Sequence, residues 1–366
     1  MIEASPNRAQ KGRGAVSNRN GRYEAYQHIA TFDGWEQATP AGEESRPATA
    51  ATSVTRDSSR RMIAHNQSPD VPFDRSINPY RGCEHGCIYC FARPTHAWLG
   101  LSPGLDFETR LFAKPDAAEL LRAEFASPRY RPATIALGTA TDPYQPIERG
   151  LEITRSLLAV LKETRHPVAI VTKSPLVTRD LDLLAPMAEL GVVRVLLSVT
   201  TLDNDLARRM EPRAASPKRR LAAIGQLAAA GVPVGVLAAP MIPALNDAEL
   251  ERILEAAAAA GARTAGYVLL RLPLEIKELF EEWLEAHYPD RKAKVLKLVR
   301  ETRGGKLYES AWGLRMRGRG VYAELLEKRF RQACKKSGLD RGEWALDETR
   351  FRHPAAKSDP AQMTLF

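Results

Sequence analysis

Short apolar runs rich in β-branched residues recur along the middle of the chain, at Thr134–Leu137, Val168–Val171, Val192–Leu197, Val232–Leu237 and Tyr267–Leu270. Runs of this length, apolar at consecutive rather than alternate positions, are what strands covered on both faces require. Between them the spacing changes to that of a helix. After Asn246-Asp247, apolar residues fall at Leu250, Ile253, Leu254, Ala257 and Ala258, and the pattern stops at Gly261. That spacing sets one helical face against a core and ends on a glycine stop. Ser216-Pro217 reads as an N-cap followed by proline at the first helical position, with the helix running to Gly231. Ile147–Glu163 and Arg179–Leu190 fit two more helices.

Strand and helix in strict alternation make an α/β fold with a parallel sheet. The five runs, with a weaker strand at Arg75–Tyr80, make six. Six units suit a partial (β/α)6 TIM-like barrel, although a doubly wound open sheet satisfies the same alternation. In either architecture the site lies at the C-terminal ends of the strands. The weak strand runs directly into a cluster of cysteines, which places that cluster on the active face.

Outside this alternation the composition changes. Residues 1–62 are rich in Ser, Asn, Arg, Gly, Ala and Thr, too polar to bury much surface, and read as a mostly flexible N-terminal extension. Within it, Arg22-Tyr23-Glu24 and Phe32-Asp33-Gly34-Trp35 carry aromatics that could dock on the main body. Residues 63–290 form the core domain, 291–345 a basic, helical C-terminal region, and 346–366 a tail. The chain carries a net charge of +9, and residues 291–341 alone hold 16 Lys and Arg against 5 Asp and Glu. Arg315-Met316-Arg317-Gly318-Arg319-Gly320 and Lys328-Arg329-Phe330-Arg331 lie there with Tyr308, Trp312 and Tyr322 interspersed. Clustered cations with aromatics are the footprint of nucleic-acid binding; the plainer reading is a solvated helical face with aromatic anchors. No stretch approaches the roughly 20 apolar residues a membrane span needs. The opening residues lack the apolar run of a secretory signal, so a cytoplasmic protein is expected.

Three of the four cysteines fall within eight residues, in Asn78-Pro79-Tyr80-Arg81-Gly82-Cys83-Glu84-His85-Gly86-Cys87-Ile88-Tyr89-Cys90. In a reducing setting such spacing indicates metal rather than disulfides. Three thiolates on one loop can hold three corners of an iron–sulfur cube, leaving one iron open to chelate a ligand. Gly82 and Gly86 give the loop the backbone freedom to wrap it. A zinc site formed by Cys83, Cys87 and Cys90 with His85 or His96 uses the same residues. His85 otherwise lines the loop or faces solvent.

The pattern Cys-x3-Cys-x-aromatic-Cys, filled by Cys83, Cys87, Tyr89 and Cys90, resembles the signature of the radical S-adenosylmethionine (SAM) superfamily. The resemblance implies a 4Fe–4S cluster held by the three cysteines and SAM bound at the open iron. It also implies reductive cleavage to a 5′-deoxyadenosyl radical that abstracts hydrogen, Tyr89 beside the adenine, and an electron donor such as flavodoxin or ferredoxin. Ser76 to Arg93, Thr141-Asp142-Pro143-Tyr144-Gln145-Pro146-Ile147-Glu148 and Pro240-Met241-Ile242-Pro243-Ala244-Leu245-Asn246-Asp247 resemble its spore photoproduct lyase-like, DNA repair photolyase-related branch. Pro94 to Leu101 is similar to an uncharacterised bacterial subfamily of that branch. The branch implies a nucleic-acid substrate; a protein or small-molecule substrate is the alternative within the same chemistry. One departure concerns the lyase's hydrogen-donor cysteine: no cysteine lies between Cys90 and Cys334. Cys334 and Tyr144 are the remaining candidates for hydrogen transfer, with plainer readings as a buried hydrophobe and a packing aromatic. For SAM the strand ends supply Thr141, Asp142, Lys173 and Ser198, and Arg271 could face substrate. Helix caps and turns are the bland alternatives for the hydroxyls and for Asp142.

Overall fold

The computed structural model describes residues 9–24, 51–340 and 345–354. Its strands, in chain order, are β1 (Ser53–Arg56), β2 (Ile63–His65), β3 (Arg75–Ile77), β4 (Tyr80–Arg81), β5 (Arg110–Ala113), β6 (Ile135–Leu137), β7 (Val168–Thr172), β8 (Val193–Ser198), β9 (Val234–Met241) and β10 (Thr264–Leu269). The large sheet has the order β10-β9-β8-β7-β6-β3-β2, parallel throughout except for β2, which runs antiparallel to β3. Each new parallel strand is laid beside the previous one, without the reversal of order that defines a doubly wound sheet. The winding is therefore that of a barrel. Because the outer strands β10 and β2 do not pair with each other, it is a partial (β/α)6 barrel of six parallel strands.

The consecutive apolar runs behave as two-sided burial requires. Ile135, Leu137, Val168, Ile170, Val193, Val195, Leu197, Val234 and Val236 are all buried, beneath the helices Ile153–Glu163, Leu181–Glu189, Pro217–Ala229 and Leu250–Ala259. Several boundaries differ from the sequence pattern, each for a local reason. The first parallel strand stops at Ile77 because Pro79 has no N–H to give a ladder. Tyr80–Arg81 instead joins a small second sheet of order β1-β5-β4 that the pattern did not reveal. The segment Ile147–Glu163 breaks at Glu152, whose φ is 50°. There the Glu148 carboxylate accepts the N–H groups of Thr154 (3.0 Å) and Arg155 (3.3 Å), doing the work of a cap for the second piece. β10 starts three residues before its apolar run, since Thr264, Ala265 and Gly266 pair with β9 while staying partly exposed.

The C-terminal region is built onto this barrel. Helices Ile276–His287 and Pro289–Thr302 share an apolar cluster with Ile88, Leu206, Met210 and Ile242. Helix Val321–Ser337 packs on helix Leu250–Ala259 and on β10, where Phe330 meets Tyr267 with ring centroids 4.7 Å apart. Among the described parts of the N-terminal extension, residues 9–24 run as an irregular arm fixed mainly through backbone and polar contacts. Tyr23 remains 64% exposed and does not dock by its ring; Phe32–Trp35 lies outside the described residues. No helix among the described residues is long and apolar enough to cross a membrane.

Two histidines are buried as neutral groups. His166 stacks on Phe125 (centroids 4.5 Å apart), with Nδ1 3.0 Å from the Pro167 carbonyl and Nε2 2.7 Å from the Tyr130 hydroxyl. Burial pulls its pKa down to about 3, and pulls that of His96 down to about 4. Unfolded histidine titrates near 6.5, so below that pH the unfolded chain binds more protons and stability falls, by up to about 1.4 kcal/mol per pH unit for each group. Urea unfolding of the wild type should therefore weaken steeply from pH 6.5 to 5. The double variant His96→Gln/His166→Gln should show a shallower slope over the same window; an equal slope would refute the assignment.

Candidate active site

The C-terminal ends of five neighbouring strands surround one cavity of about 300 Å³. Gly138–Asp142 follow β6, Thr172 and Lys173 close β7, Ser198 ends β8, Ala239 and Pro240 lie in β9, and Leu269 and Arg271 end and follow β10. Cys83, His85, Cys87, Tyr89 and Cys90 line the same space. The loop and the strand ends are thus brought together as the barrel reading requires.

The cysteine loop is held from beneath by one buried side chain. Arg93 donates from Nε to the Cys87 carbonyl (2.9 Å) and from Nη1 to the carbonyls of Pro103 (3.1 Å) and Gly104 (2.9 Å). Its Nη2 reaches the Gly86 carbonyl (3.0 Å) and the Glu108 carboxylate (2.5 Å). Neither Arg93 nor Glu108 has any solvent exposure. Glu108 also accepts the N–H groups of Gly14 (2.9 Å) and Ala15 (2.8 Å), which ties the N-terminal arm to the loop. Gly86 has φ 65°, and a Cβ on Gly14 would stand 1.8 Å from the Gly86 carbonyl oxygen, so both positions require glycine. On the other side, Gln145 brackets the loop, accepting from Glu84 N (2.9 Å) and donating to the Gly82 carbonyl (3.2 Å).

The thiols of Cys83 and Cys87 are buried and that of Cys90 half-buried. Burial first, then the charges of Asp142 and the neighbouring cysteines, push the Cys83 thiol up; burial does the same for Cys87, against a lowering pull from Lys173. Such thiols stay protonated until a cation displaces the proton. Among the described residues no three His, Cys, Asp or Glu side chains converge as a single ion demands. The three cysteines that line the cavity are soft donors of the kind an iron–sulfur group takes. His96 is a poor fourth ligand, since its Nε2 lies 2.9 Å from the Arg110 carbonyl and it does not line the cavity.

Each residue expected to meet SAM lines this cavity, with differing freedom. Lys173 Nζ lies 3.3 Å from Ser198 Oγ and 5.8 Å from the centre of the Tyr89 ring. No carboxylate pairs with it among the described residues, so its charge is available. Ser198 Oγ donates a hydrogen bond to the Ala239 carbonyl (3.2 Å), and Thr141 Oγ1 donates one to the Tyr80 carbonyl (3.2 Å). Asp142 is fully engaged: Oδ1 accepts from Thr172 Oγ1 (2.7 Å) and Tyr144 N (2.9 Å), while Oδ2 accepts from Lys173 N (2.7 Å) and lies 3.3 Å from His85 Nδ1. Burial would raise its pKa, but His85 and these hydrogen bonds hold it at about 2. It therefore presents a fixed charge rather than a free acceptor. Tyr89 is buried with its hydroxyl bonded to Glu211, which also accepts from Thr200 Oγ1 (2.7 Å) and pairs with the buried Arg220.

Other expected residues fall elsewhere. Cys334 is buried between helix Val321–Ser337 and the barrel, does not line the cavity, and has its pKa raised to about 11 by burial. Tyr144 is buried with its hydroxyl donating to Asp180 (3.1 Å), also outside the cavity. Arg271 does line it, stacked over Phe91 with its guanidinium carbon 5.2 Å from the ring centre, and its buried Nε has no hydrogen-bond partner among the described residues. The basic C-terminal region commits several of its cations, mostly to carboxylates of the core: Arg315 to Asp70, Arg329 to Glu251 (2.7 Å) and Lys336 to Glu255 (2.9 Å), while Arg331 pairs within the region with Glu327 (2.5 Å). It nevertheless reaches the site, since Met316 lines the cavity with Sδ 3.2 Å from Arg271. His85, expected at solvent or along the loop, is buried against Asp142. Glu108, Glu211 and Met316 carried no signal in the sequence beyond being charged or apolar, and Arg93 stood out only as the end of the stretch that resembles the lyase-like branch.

Comparison with known proteins agrees with this geometry. Residues 77–257 match the family profile of the Radical SAM superfamily. An uncharacterized protein of Mycobacterium tuberculosis (strain ATCC 25618 / H37Rv) is 38% identical over 232 residues, covering 63% of this chain and 68% of that one. An uncharacterized protein of Methanocaldococcus jannaschii is 28% identical over 214 residues, 58% of this chain and 76% of that one. The chain belongs to the radical SAM superfamily and is a radical SAM enzyme. Its fold is shared with spore photoproduct lyase, solved with a dinucleoside spore photoproduct, at a TM-score of 0.54 and 19% identity over 77% of this chain and 78% of that one. A second structure of that lyase, with AdoMet also bound, aligns equally well at 18% identity.

Removing half of a buried ion pair leaves the other charge without compensation, at a cost of about 3–5 kcal/mol. Glu108→Gln should lower the unfolding free energy by that amount in urea titrations at pH 7, whereas exposed Glu163→Gln should change it by less than about 1 kcal/mol. Equal effects would show that the Arg93–Glu108 pair does not hold the loop.

Proposed function

We propose that this enzyme holds a 4Fe–4S cluster on Cys83, Cys87 and Cys90, binds SAM beside it, and abstracts a hydrogen atom from a nucleic-acid substrate. The observation that carries this reading is the convergence of three thiols, the unpaired ammonium of Lys173 and five strand ends on one cavity. When bound, the cluster and SAM supply a one-electron cleavage of the sulfonium, giving a 5′-deoxyadenosyl radical able to take hydrogen from carbon.

The protein's part is binding and orientation. Lys173 pairs with the SAM carboxylate, and Ser198 and Thr141 offer hydroxyl lone pairs to its polar groups. Asp142 contributes negative charge toward the ammonium while keeping His85 in place. Tyr89, tethered by Glu211, gives a flat apolar wall for the adenine. Substrate enters over Arg271, Phe91 and Met316; Phe91 is 50% and Trp312 61% exposed, as base-stacking platforms are. The dinucleoside bound by spore photoproduct lyase supports a nucleic-acid substrate for this shared fold. Hydrogen return to a product radical would not come from a further thiol of this cavity, since among the described residues the three loop cysteines are the ones that line it. We take residues 63–290 as the catalytic core and 291–345 as an appendage that completes its mouth, in a reducing, cytoplasmic setting.

Anaerobic reconstitution should load about four iron and four sulfide per chain, and dithionite with SAM should release 5′-deoxyadenosine. Cys83→Ala, Cys87→Ala and Cys90→Ala should each abolish both, while Cys334→Ala should leave both intact. Lys173→Met should keep the iron content and weaken SAM binding by about tenfold or more. Loading of zinc without sulfide, or full activity in Cys87→Ala, would sink the reading.

Binding to single-stranded DNA provides a separate check. Arg317→Ala/Arg319→Ala should weaken it and reduce the slope of log K against log salt by about 1–2. An unchanged slope would remove the basic segment from the substrate path.

A further inference from the structure

The cavity that holds the thiols has a neighbour. Two further hollows, of about 190 and 400 Å³, share Arg149, Pro175 and Arg219 and together form a groove beside the cysteine loop. His85, between Cys83 and Cys87 in the sequence, lines both the inner hollow and the main cavity. One imidazole therefore stands as the partition between the groove and the thiols. The loop is also stitched to the groove wall, since Arg213 N donates to the His85 carbonyl (3.3 Å).

The charge of this groove is one-sided. Arg149, Arg213 and Arg219 line it and are all exposed. Of these Arg213 is paired, with Glu84 at 3.1 Å; among the described residues, Arg149 and Arg219 have no ion pair. The carboxylates that might have neutralised them are already committed. Glu148 and Asp180 are buried against Arg179, Asp180 also meets Arg155 at 2.8 Å, and Glu152 lies 3.8 Å from Arg179. Three exposed arginines on separate segments, two of them uncompensated, along a groove that runs over two hollows suit an extended acidic surface better than a single small anion.

We infer that this groove is the docking face for an acidic one-electron carrier protein that feeds the cluster through the His85 side of the loop. The inference rests on the reading that Cys83, Cys87 and Cys90 hold a cluster. It also separates the two traffics of the enzyme, because substrate uses the mouth at Arg271, Phe91 and Met316, none of which lines the groove. In the step itself one electron leaves the carrier's reduced cofactor and enters the cluster; no bond or proton is exchanged at the groove.

The test uses the full chain, an acidic bacterial flavodoxin as probe, and the double variant Arg149→Glu/Arg219→Glu, which touches no residue of the thiol or SAM machinery. Calorimetric binding of oxidised flavodoxin, measured with metal-free and with reconstituted protein, should weaken about tenfold or more in the variant and should also fall with added salt in the wild type. Stopped-flow reduction of the reconstituted cluster by flavodoxin hydroquinone should slow by a similar factor, while reduction by dithionite stays unchanged. Wild-type affinity and reduction rate in the variant would overturn the inference. So would inorganic phosphate binding in the groove with flavodoxin docking unaffected by the charge reversal. Failure of dithionite to reduce any wild-type cluster would instead strike the cofactor reading, and docking would still be decided by the metal-free binding data.

Discussion

Arg93 and Glu108 face each other where no water reaches, and the geometry of the cysteine loop depends on them. A guanidinium carries five N–H donors, and here all five are spent: one on Glu108 and four on the carbonyls of Cys87, Gly86, Pro103 and Gly104. Taking such a charge out of water is costly, and the Coulombic return offsets it only when every donor is matched. The arrangement therefore tolerates one loop conformation and penalises the rest. A flexible stretch with two glycines at positive φ would otherwise have many shapes available. Buried ion pairs are weak devices for stability and strong ones for fixing a register, and this pair serves the second purpose.

A second buried pair, Glu211 with Arg220, works from the opposite flank. Glu211 receives the Tyr89 hydroxyl, and Arg220 donates to the Ser198 (3.1 Å) and Ala215 (2.8 Å) carbonyls, so the aromatic of the cysteine motif is locked to the end of β8. Asn246 extends this network by joining the Thr200 and Pro240 carbonyls (2.7 and 3.0 Å). The loop is thus positioned by polar side-chain contacts on both sides, while the strands behind it are positioned by their backbone ladders and apolar packing. Rigid placement matters more than affinity here, because radical chemistry needs reacting atoms held at close range.

What could be read from the chain follows from the range over which each force acts. The strands were legible because Val, Ile and Leu in consecutive positions have few other uses, and the cysteine loop because three thiols at short spacing have fewer still. The small sheet was not, since Ser53–Arg56 is exposed throughout and pairs with a segment more than fifty residues away. Arg93 and Glu108 look like ordinary surface charges until the fold brings Gly14 and Gly86 against them. The stretch Thr141 to Glu148 shows the opposite case. It was conspicuous as a motif, yet Gln145 braces the loop, Tyr144 bonds Asp180, and Glu148 anchors Tyr80 and Arg179. A recognisable pattern reported a scaffold more than a set of ligands. Met316 lay in a segment read for its charge, and its uncharged side chain is what reaches the site.

The sheet never closes, and the wall that a seventh and eighth unit would have supplied is borrowed from a late segment. Leu314–Arg317 is fastened to the body by Arg315 on Asp70 and by Arg303, which grips the Leu314 and Leu269 carbonyls (2.7 and 3.1 Å). The residues proposed to handle the cofactor precede this segment in the chain, and Met316, which bounds the entrance with Phe91 and Arg271, lies within it. The two halves of the enzyme's task are therefore separable in inheritance as well as in space: exchanging one short stretch would redraw the aperture and its chemistry while the radical-generating apparatus stayed as it is.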